Sequence, residues 1–194
     1  MFNTHQMKEI NYKAFVTKEL DSSFTNSVEE LSTVLLKEND LLVKVSYSSL
    51  NYKDALSASG NKGVTREYPH TPGIDAVGEV VESNSSEFKI GEKIVVTGYD
   101  LGMNTSGGFG QYISIPANWA ISLPKDLSEA EAMSIGTAGL TAGLCVRKLL
   151  MNDLSPDSGD VLVTGASGGV GSVAVMVLSK LGFKVTALTG KKDQ

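Results

Sequence analysis

Residues 161–171 read V-L-V-T-G-A-S-G-G-V-G, and the helix-like run SVAVMVLSKLG follows directly. Three consecutive apolar residues, Val161, Leu162 and Val163, predict a strand buried on both faces. Gly165, Gly168 and Gly171 recur every third residue between that strand and the helix. A helix N-terminus presents backbone N–H groups and the positive end of its dipole, which together favour a phosphate. At Gly168 and Gly169 the absence of a Cβ allows close approach of phosphate oxygens, and Gly171 lets helix and strand pack tightly. Ser167 and Val170 complete the turn as candidate cofactor contacts. The spacing is G-x-x-G-x-x-G, not the commoner G-x-G-x-x-G, so a tight βα turn without a ligand stays open as the alternative.

The end of the next strand bears on which dinucleotide would fit. There the chain reads LTGKKDQ, residues 188–194. An Asp or Glu at this place binds the ribose 2′-hydroxyl of NAD, whereas Thr189, Lys191 and Lys192 suit a 2′-phosphate and so NADP(H). The lysines also read as an ordinary solvated run.

Strand 160–164, helix 169–181 and strand 183–188 give a β-α-β order. Before them lie two helical segments. Ser128 and Glu131 form the spacing of a capping box that opens EAEAMSI (129–135), and TAGLTAGLCVRKLLMNDL (137–154) reads as a longer helix. The first two thirds of the chain carry short β-branched runs at 41–51, 75–83, 92–99 and 110–116, punctuated by glycines, which suggest a small barrel or sandwich. The fold class is therefore α/β: a β-rich domain over 1–124 and the start of a nucleotide-binding domain over 125–194.

Composition sets limits on partners. The chain has 194 residues, 41% hydrophobic and 20% charged, with net charge −5 and scattered lysines and arginines. Nothing in that pattern calls for nucleic acid or an anionic membrane. Cys145 is the single cysteine, so an internal disulfide and a cysteine-rich zinc lobe are excluded. It sits in an apolar helix and is expected to be buried and inert. No apolar run reaches the ~18 residues of a membrane span, and the N-terminus lacks a signal-peptide core; the expectation is a cytoplasmic protein. Met7 offers a second start, with the six residues before it expected as a disordered extension. His5 and His70 form no catalytic pair.

Read together, NYKD (51–54), REYPHTPGIDAVGEV (66–80), GTAGLTA (136–142) and the glycine turn are similar to the medium-chain dehydrogenase/reductases of the YhdH/YhfP group. These are proteins designated quinone oxidoreductases, and they include acrylyl-CoA reductases. The resemblance covers essentially the whole chain. It implies a GroES-like catalytic domain followed by a Rossmann domain, with the active site in the cleft between them and NADPH as hydride donor. The positions that bind catalytic zinc in metal-dependent relatives correspond to Asn51, Ile74 and Thr137. An alkyl group cannot coordinate, and zinc needs three protein donors, so a zinc-independent enzyme is implied.

Without a Lewis acid the expected substrates are electron-poor: quinones, or α,β-unsaturated carbonyl compounds such as acrylyl-CoA. Asn51 is then a candidate donor to the substrate oxygen and Tyr52 a candidate proton donor. Lys53 or Arg66 would stabilise developing negative charge. Tyr52 also reads as simple packing, and Asp54 reads best as a helix cap or salt-bridge partner. Thr137 and Thr141 are candidates to touch the nicotinamide or its phosphate. The family members continue beyond the point where this sequence stops, so a truncated chain is expected, with a homodimer in the full-length protein. The alternative is a nucleotide-binding remnant without turnover.

The cofactor reading yields a first test. Replacing Lys191 with Glu should weaken NADPH more than NADH, since attraction becomes repulsion beside a 2′-phosphate. An exposed charge contact is worth about 1 kcal/mol, and its reversal roughly twice that. Binding titrations of both cofactors decide it; equal losses would remove Lys191 as the reader.

Overall fold

A computed structural model describes residues 8–21 and 23–190. The second start at Met7, the extension before it with His5, and Lys191 and Lys192 lie outside the described residues. The chain divides into two compact units, one running through Ser134 and the other from Ile135 onward.

The first unit opens with a hairpin, β1 (Asn11–Leu20) and β2 (Ser23–Ser32), paired from Asn11↔Ser32 to Leu20↔Ser23. Tyr12, Ala14 and Val16 alternate along β1 and bury one face with Leu36 and Leu42. No pattern in the sequence marks both strands of this hairpin. Its second strand, SFTNSVEELS, is largely polar and solvent-facing, so only β1 carries the period-2 signal.

A five-stranded antiparallel sheet follows, built from β3 (Leu41–Tyr47), β4 (Asp75–Ser83), β5 (Lys93–Thr97), β6 (Tyr112–Ile115) and β7 (Ile121–Ser122), in the order β6-β3-β4-β5-β7. The four expected β runs all lie in it. Leu41 and Val43 face one core cluster with Val80, Ile94 and Ile113, while Leu42 faces the hairpin's cluster. That two-sided burial explains why β3 starts as an unbroken apolar run. Fully burying one such side chain contributes roughly 1.5–3 kcal/mol. Between β3 and β4 lies a short helix, α1 (Tyr52–Ala58).

The next helix, α2, spans Glu129–Leu150 with non-helical dihedrals at Gly136 (φ 47°, ψ −159°), so its backbone makes two helices, as the sequence predicts. The Ser128 N–H donates to Glu131 Oε2 at 2.9 Å and the Glu131 N–H to Ser128 Oγ at 3.2 Å, which completes the capping box. Leu127, Ala132 and Met133 pack with Val77 and Val95 in the first unit.

The second unit holds β8 (Val161–Thr164), α3 (Gly169–Lys180) and β9 (Val185–Leu188), with β8 and β9 parallel from Val161↔Val185 to Thr164↔Leu188. Val161 and Val163 pack on a cluster of Val146, Leu178 and Phe183. Leu162, however, is 59% exposed. The expectation of a strand buried on both faces therefore fails. Successive residues of a strand point to opposite faces, and among the described residues only one face of β8 is covered. Cys145 is likewise exposed, against the expectation of burial. Ala142 and Val146, four residues apart, take the buried face of the helix, and Cys145 falls beside it. It lines an open apolar groove of this unit with Leu149, Leu162 and Val170.

Gly171 sits where α3 crosses the end of β8. A Cβ there would overlap the Gly165 carbonyl oxygen, a backbone atom that cannot swing aside. At Gly169 a Cβ would meet only the Ala138 Cβ, at 3.3 Å. Gly171→Ala should therefore destabilise by roughly 1–3 kcal/mol through overpacking, and Gly169→Ala by clearly less. Thermal unfolding of the two variants compares them directly; equal midpoints would refute the close packing.

His70 locks the hairpin to the loop before β4. Its backbone N–H donates to the Thr17 carbonyl at 2.9 Å, and the Thr17 N–H returns a bond to the His70 carbonyl at 2.8 Å. The ring is buried, and Nε2 has no hydrogen-bond partner. Burial holds the imidazole pKa below its ordinary 6.5, against the opposing pull of the Gly102 backbone and the Asp100 charge. Below 6.5 the unfolded chain thus binds more protons than the folded one. The neutral ring's contribution is intact above 6.5 and is lost as pH falls toward the lower folded-state value, by at most about 1.4 kcal/mol per pH unit. Denaturant unfolding between pH 7.5 and 5 should show this slope, and His70→Gln should flatten it.

Candidate functional site

Asp75, the first residue of β4, has no solvent exposure. A carboxylate removed from water must find donors, and the loop between β3 and α1 supplies them. Ser49 Oγ donates to Asp75 Oδ2 at 2.6 Å, and Asn51 Nδ2 donates to the same oxygen at 2.9 Å. Ser48 Oγ donates to the Asp75 carbonyl at 2.6 Å. The loop is thereby tied to the head of the central strand just before α1 begins.

A second buried carboxylate starts the helix. Asn51 and Asp54 form the capping box of α1: Asp54 Oδ2 accepts the Asn51 N–H at 2.7 Å. Its other oxygen accepts the Ile74 N–H at 2.9 Å. Burial raises the Asp54 pKa above the usual carboxylate range and the Asp75 charge adds to this, while backbone donors at Asn51, Ile74 and Gly73 pull it down. Asp54 is thus a helix cap, as the sequence indicates.

Of the remaining candidates in this unit, Tyr52 and Lys53 are exposed on the first turn of α1, with Tyr52 80% exposed, so its ring is not packed into a core. Arg66 lies elsewhere in the loop after α1. Its N–H donates to Asn104 Oδ1 at 3.3 Å, and with Glu67, Asp100 and Asn104 it lines a polar depression. That depression does not include Asn51, Tyr52 or Lys53. Ile74, at a position corresponding to a zinc ligand in metal-dependent relatives, is a buried alkyl side chain. Among the described residues no group of three His, Cys, Asp or Glu is placed to hold a metal ion.

Asp75 and Ser49 are the members of this constellation that the sequence reading passed over. The signal was present: in the run GIDAVGEVV an acid stands between the apolar residues Ile74 and Ala76.

In the second unit the glycine turn has the anticipated form. Gly165 adopts φ 62°, in the left-handed region, and its carbonyl accepts the Gly168 N–H at 2.9 Å. Gly168 is the N-cap of α3 and brings no side-chain cap, so the opening amides of Gly169 and Val170 stand at a helix end without a capping side chain. Ser167 and Thr189 share a hydroxyl hydrogen bond of 2.7 Å, which joins the end of β8 to the end of β9. Thr141 Oγ1 donates to the Thr137 carbonyl at 2.8 Å within its helix. Lys191 lies outside the described residues. The turn fits a dinucleotide phosphate: it offers main-chain donors, glycines at the approach and a hydroxyl pair beside it.

Comparison with known proteins gives these features a family. Residues 37–125 match the alcohol dehydrogenase GroES-like domain. YhfP of Bacillus subtilis, which carries a quinone oxidoreductase designation, is 48% identical over 86% of this chain and 50% of its own length. Its crystal structure with NAD bound superposes with a TM-score of 0.91, covering 95% of this chain and 56% of that one. Acrylyl-CoA reductase AcuI of Ruegeria pomeroyi is 44% identical over 92% of this chain and 54% of its own. The yhdH oxidoreductase of Salmonella enterica, in complex with NADP, is 42% identical with a TM-score of 0.91, covering 93% of this chain and 56% of that one. The chain spans about half the length of the curated relatives it matches. No helix of the described residues is long and apolar enough to cross a membrane. The chain thus carries the GroES-like domain of the medium-chain dehydrogenase/reductase superfamily and the start of a Rossmann-type sheet, and its homologues are YhfP and AcuI, with yhdH among its structural neighbours.

Proposed function

We propose that this chain supplies the substrate-handling residues and the opening of the cofactor site of an NADPH-dependent, zinc-independent reductase. The substrates on this reading are quinones or α,β-unsaturated carbonyl and enoyl-CoA compounds such as acrylyl-CoA. The observation that carries it is the glycine turn, where the first amides of α3 have no side-chain cap and can donate to a pyrophosphate. Ser167, Gly168, Gly169 and Val170 would hold the pyrophosphate, Thr189 and Lys191 the 2′-phosphate, and Thr137 and Thr141 the nicotinamide end. When bound, the dinucleotide supplies a hydride. The NADP found with yhdH of S. enterica supports the phosphorylated form, and the NAD found with YhfP marks the competing one.

In this reading Asn51 donates an N–H to the substrate oxygen, where negative charge grows as the electrophile is reduced. A fixed dipole aimed at developing charge favours the transition state over the ground state. Tyr52, exposed at the helix start, supplies the proton. Lys53 or Arg66 stabilises the charge at longer range. An amide polarises a carbonyl less than a metal ion does, so the substrate must already be electron-poor. A cytoplasmic homodimer belongs to the same reading.

A steady-state assay of the full-length protein with acrylyl-CoA and a benzoquinone side by side tests it. We expect NADPH oxidation with at least one of them, unchanged by chelators, and a loss of about 10²-fold in kcat for Asn51→Ala, the scale of removing one charge-stabilising donor. No oxidation with either substrate would overturn the assignment.

A further inference from the structure

We propose that Asp75 is a positioning residue for this chemistry: its buried carboxylate fixes which edge of the Asn51 amide faces inward, and so where the outward N–H points. The proposal rests on the reading of Asn51 as the donor to the substrate oxygen. Its basis is the shared contact at Asp75 Oδ2, with Ser49 Oγ at 2.6 Å and Asn51 Nδ2 at 2.9 Å.

An asparagine side chain presents two chemically opposite edges of almost the same shape, a carbonyl and an NH2. Most surroundings permit either orientation, since flipping the amide exchanges donor for acceptor at little steric cost. A carboxylate does not. It accepts hydrogen bonds only, so the NH2 edge of Asn51 is attracted to Asp75 while the carbonyl edge would be repelled. Because Asp75 has no exposure, water does not screen that preference. One N–H of Asn51 is thus committed inward, and the rigid amide plane sets the direction of the second.

The backbone reinforces the arrangement. The Asn51 N–H is held by Asp54 Oδ2 at 2.7 Å, so the residue is pinned at its main chain by one buried carboxylate and at its side chain by another. Ser49 brings a second donor to the oxygen that Asn51 uses, which keeps that oxygen aligned with the loop. Both anchors act through Asn51; neither needs to touch substrate.

Three variants and one spectroscopic signal test this. Asp75→Ser removes the carboxylate. We expect kcat to fall at least about tenfold while KM changes by less than about threefold, the pattern of a lost transition-state interaction. Asp75→Asn keeps an oxygen acceptor but loses the charge that forbids the flip, and should lie between wild type and Asp75→Ser. In an Asn51→Ala background, Asp75→Ser should cost little more, because its effect passes through Asn51. Independently of turnover, the Asn51 side-chain amide resonances, assigned by isotope-edited NMR, should exchange slowly in the wild-type protein. They should shift and exchange faster in Asp75→Asn, which also serves if Asp75→Ser fails to fold. Unchanged Asn51 resonances in Asp75→Asn, or multiplicative losses in the double variant, would overturn the proposal. If the wild type reduces neither electrophile but its Asn51 amide depends on Asp75, the reductase reading fails and the positioning contact stands.

Discussion

The burial of Asp75 constrains more of this structure than any other single feature. The residue begins the central strand of the five-stranded sheet, paired with Thr97, and its carboxyl group has no route to water. Leaving such a charge unpaired would cost several kcal/mol. The chain answers with a loop whose Ser48, Ser49 and Asn51 all turn inward to one residue. The loop in turn fixes where α1 starts, and the helix start carries the second buried carboxylate, Asp54. Burial raises the cost of ionising Asp54 and the Asp75 charge adds to it, which is why Asp54 needs backbone donors from both Asn51 and Ile74. Loop, helix start and strand head are a single hydrogen-bonded assembly, and residues 51–54 owe their placement to it.

The two units solve the burial problem differently. In the first, Leu41, Val43, Val80, Ile94, Ile113 and Ile115 are sealed from solvent in one cluster. The second covers one face of its two-stranded sheet with α3, and its other face leaves Leu162 and Leu188 more than half exposed. Large exposed apolar side chains at such density are unusual for a surface left to water. The glycine turn keeps its form even so, because what sets it is local: the left-handed Gly165, the Gly168–Gly165 bond and the side-chain-free crossing at Gly171.

What could be read from the residues follows the same division between local and distant causes. The glycine turn, the capping box at Ser128 and Glu131, the helix break at Gly136 and the four sheet strands are written in short-range patterns, and each has the anticipated form. Failures arose where the outcome depended on what lies across space. The hairpin went unseen because β2 is stabilised by its pairing with β1 and not by apolar residues of its own. Val161–Val163 looked buried on both faces because hydrophobicity reports what a strand tolerates, not what covers it. Cys145 looked buried because its helix is apolar almost all round, so the sequence gives no clue to which face is occupied. Asp75 was legible as an anomaly but not as an anchor: nothing in GIDAVGEVV says that Ser49 and Asn51 will be its partners.

The chemistry proposed for Asn51 can be judged against the metal-dependent alternative on donor types alone. A metal ion withdraws electron density from a carbonyl through a formal charge; an amide N–H does so through a partial charge, and most of its strength in water is spent on solvent. Two conditions can close that gap. The donor must be fixed before the substrate arrives, so that no reorganisation is needed as charge develops, and the electrophile must already be electron-poor. The first condition is structural, and the paired anchors on Asn51 address it: Asp54 at the main chain and Asp75 at the side chain. The second falls on the substrate, and under the role proposed for Asn51 it would be met by conjugated carbonyl systems, where the charge formed on reduction is delocalised onto the oxygen. Ile74 contributes by what it lacks. With an alkyl side chain and its backbone N–H given to Asp54, it offers no ligand that would draw a metal to the same place.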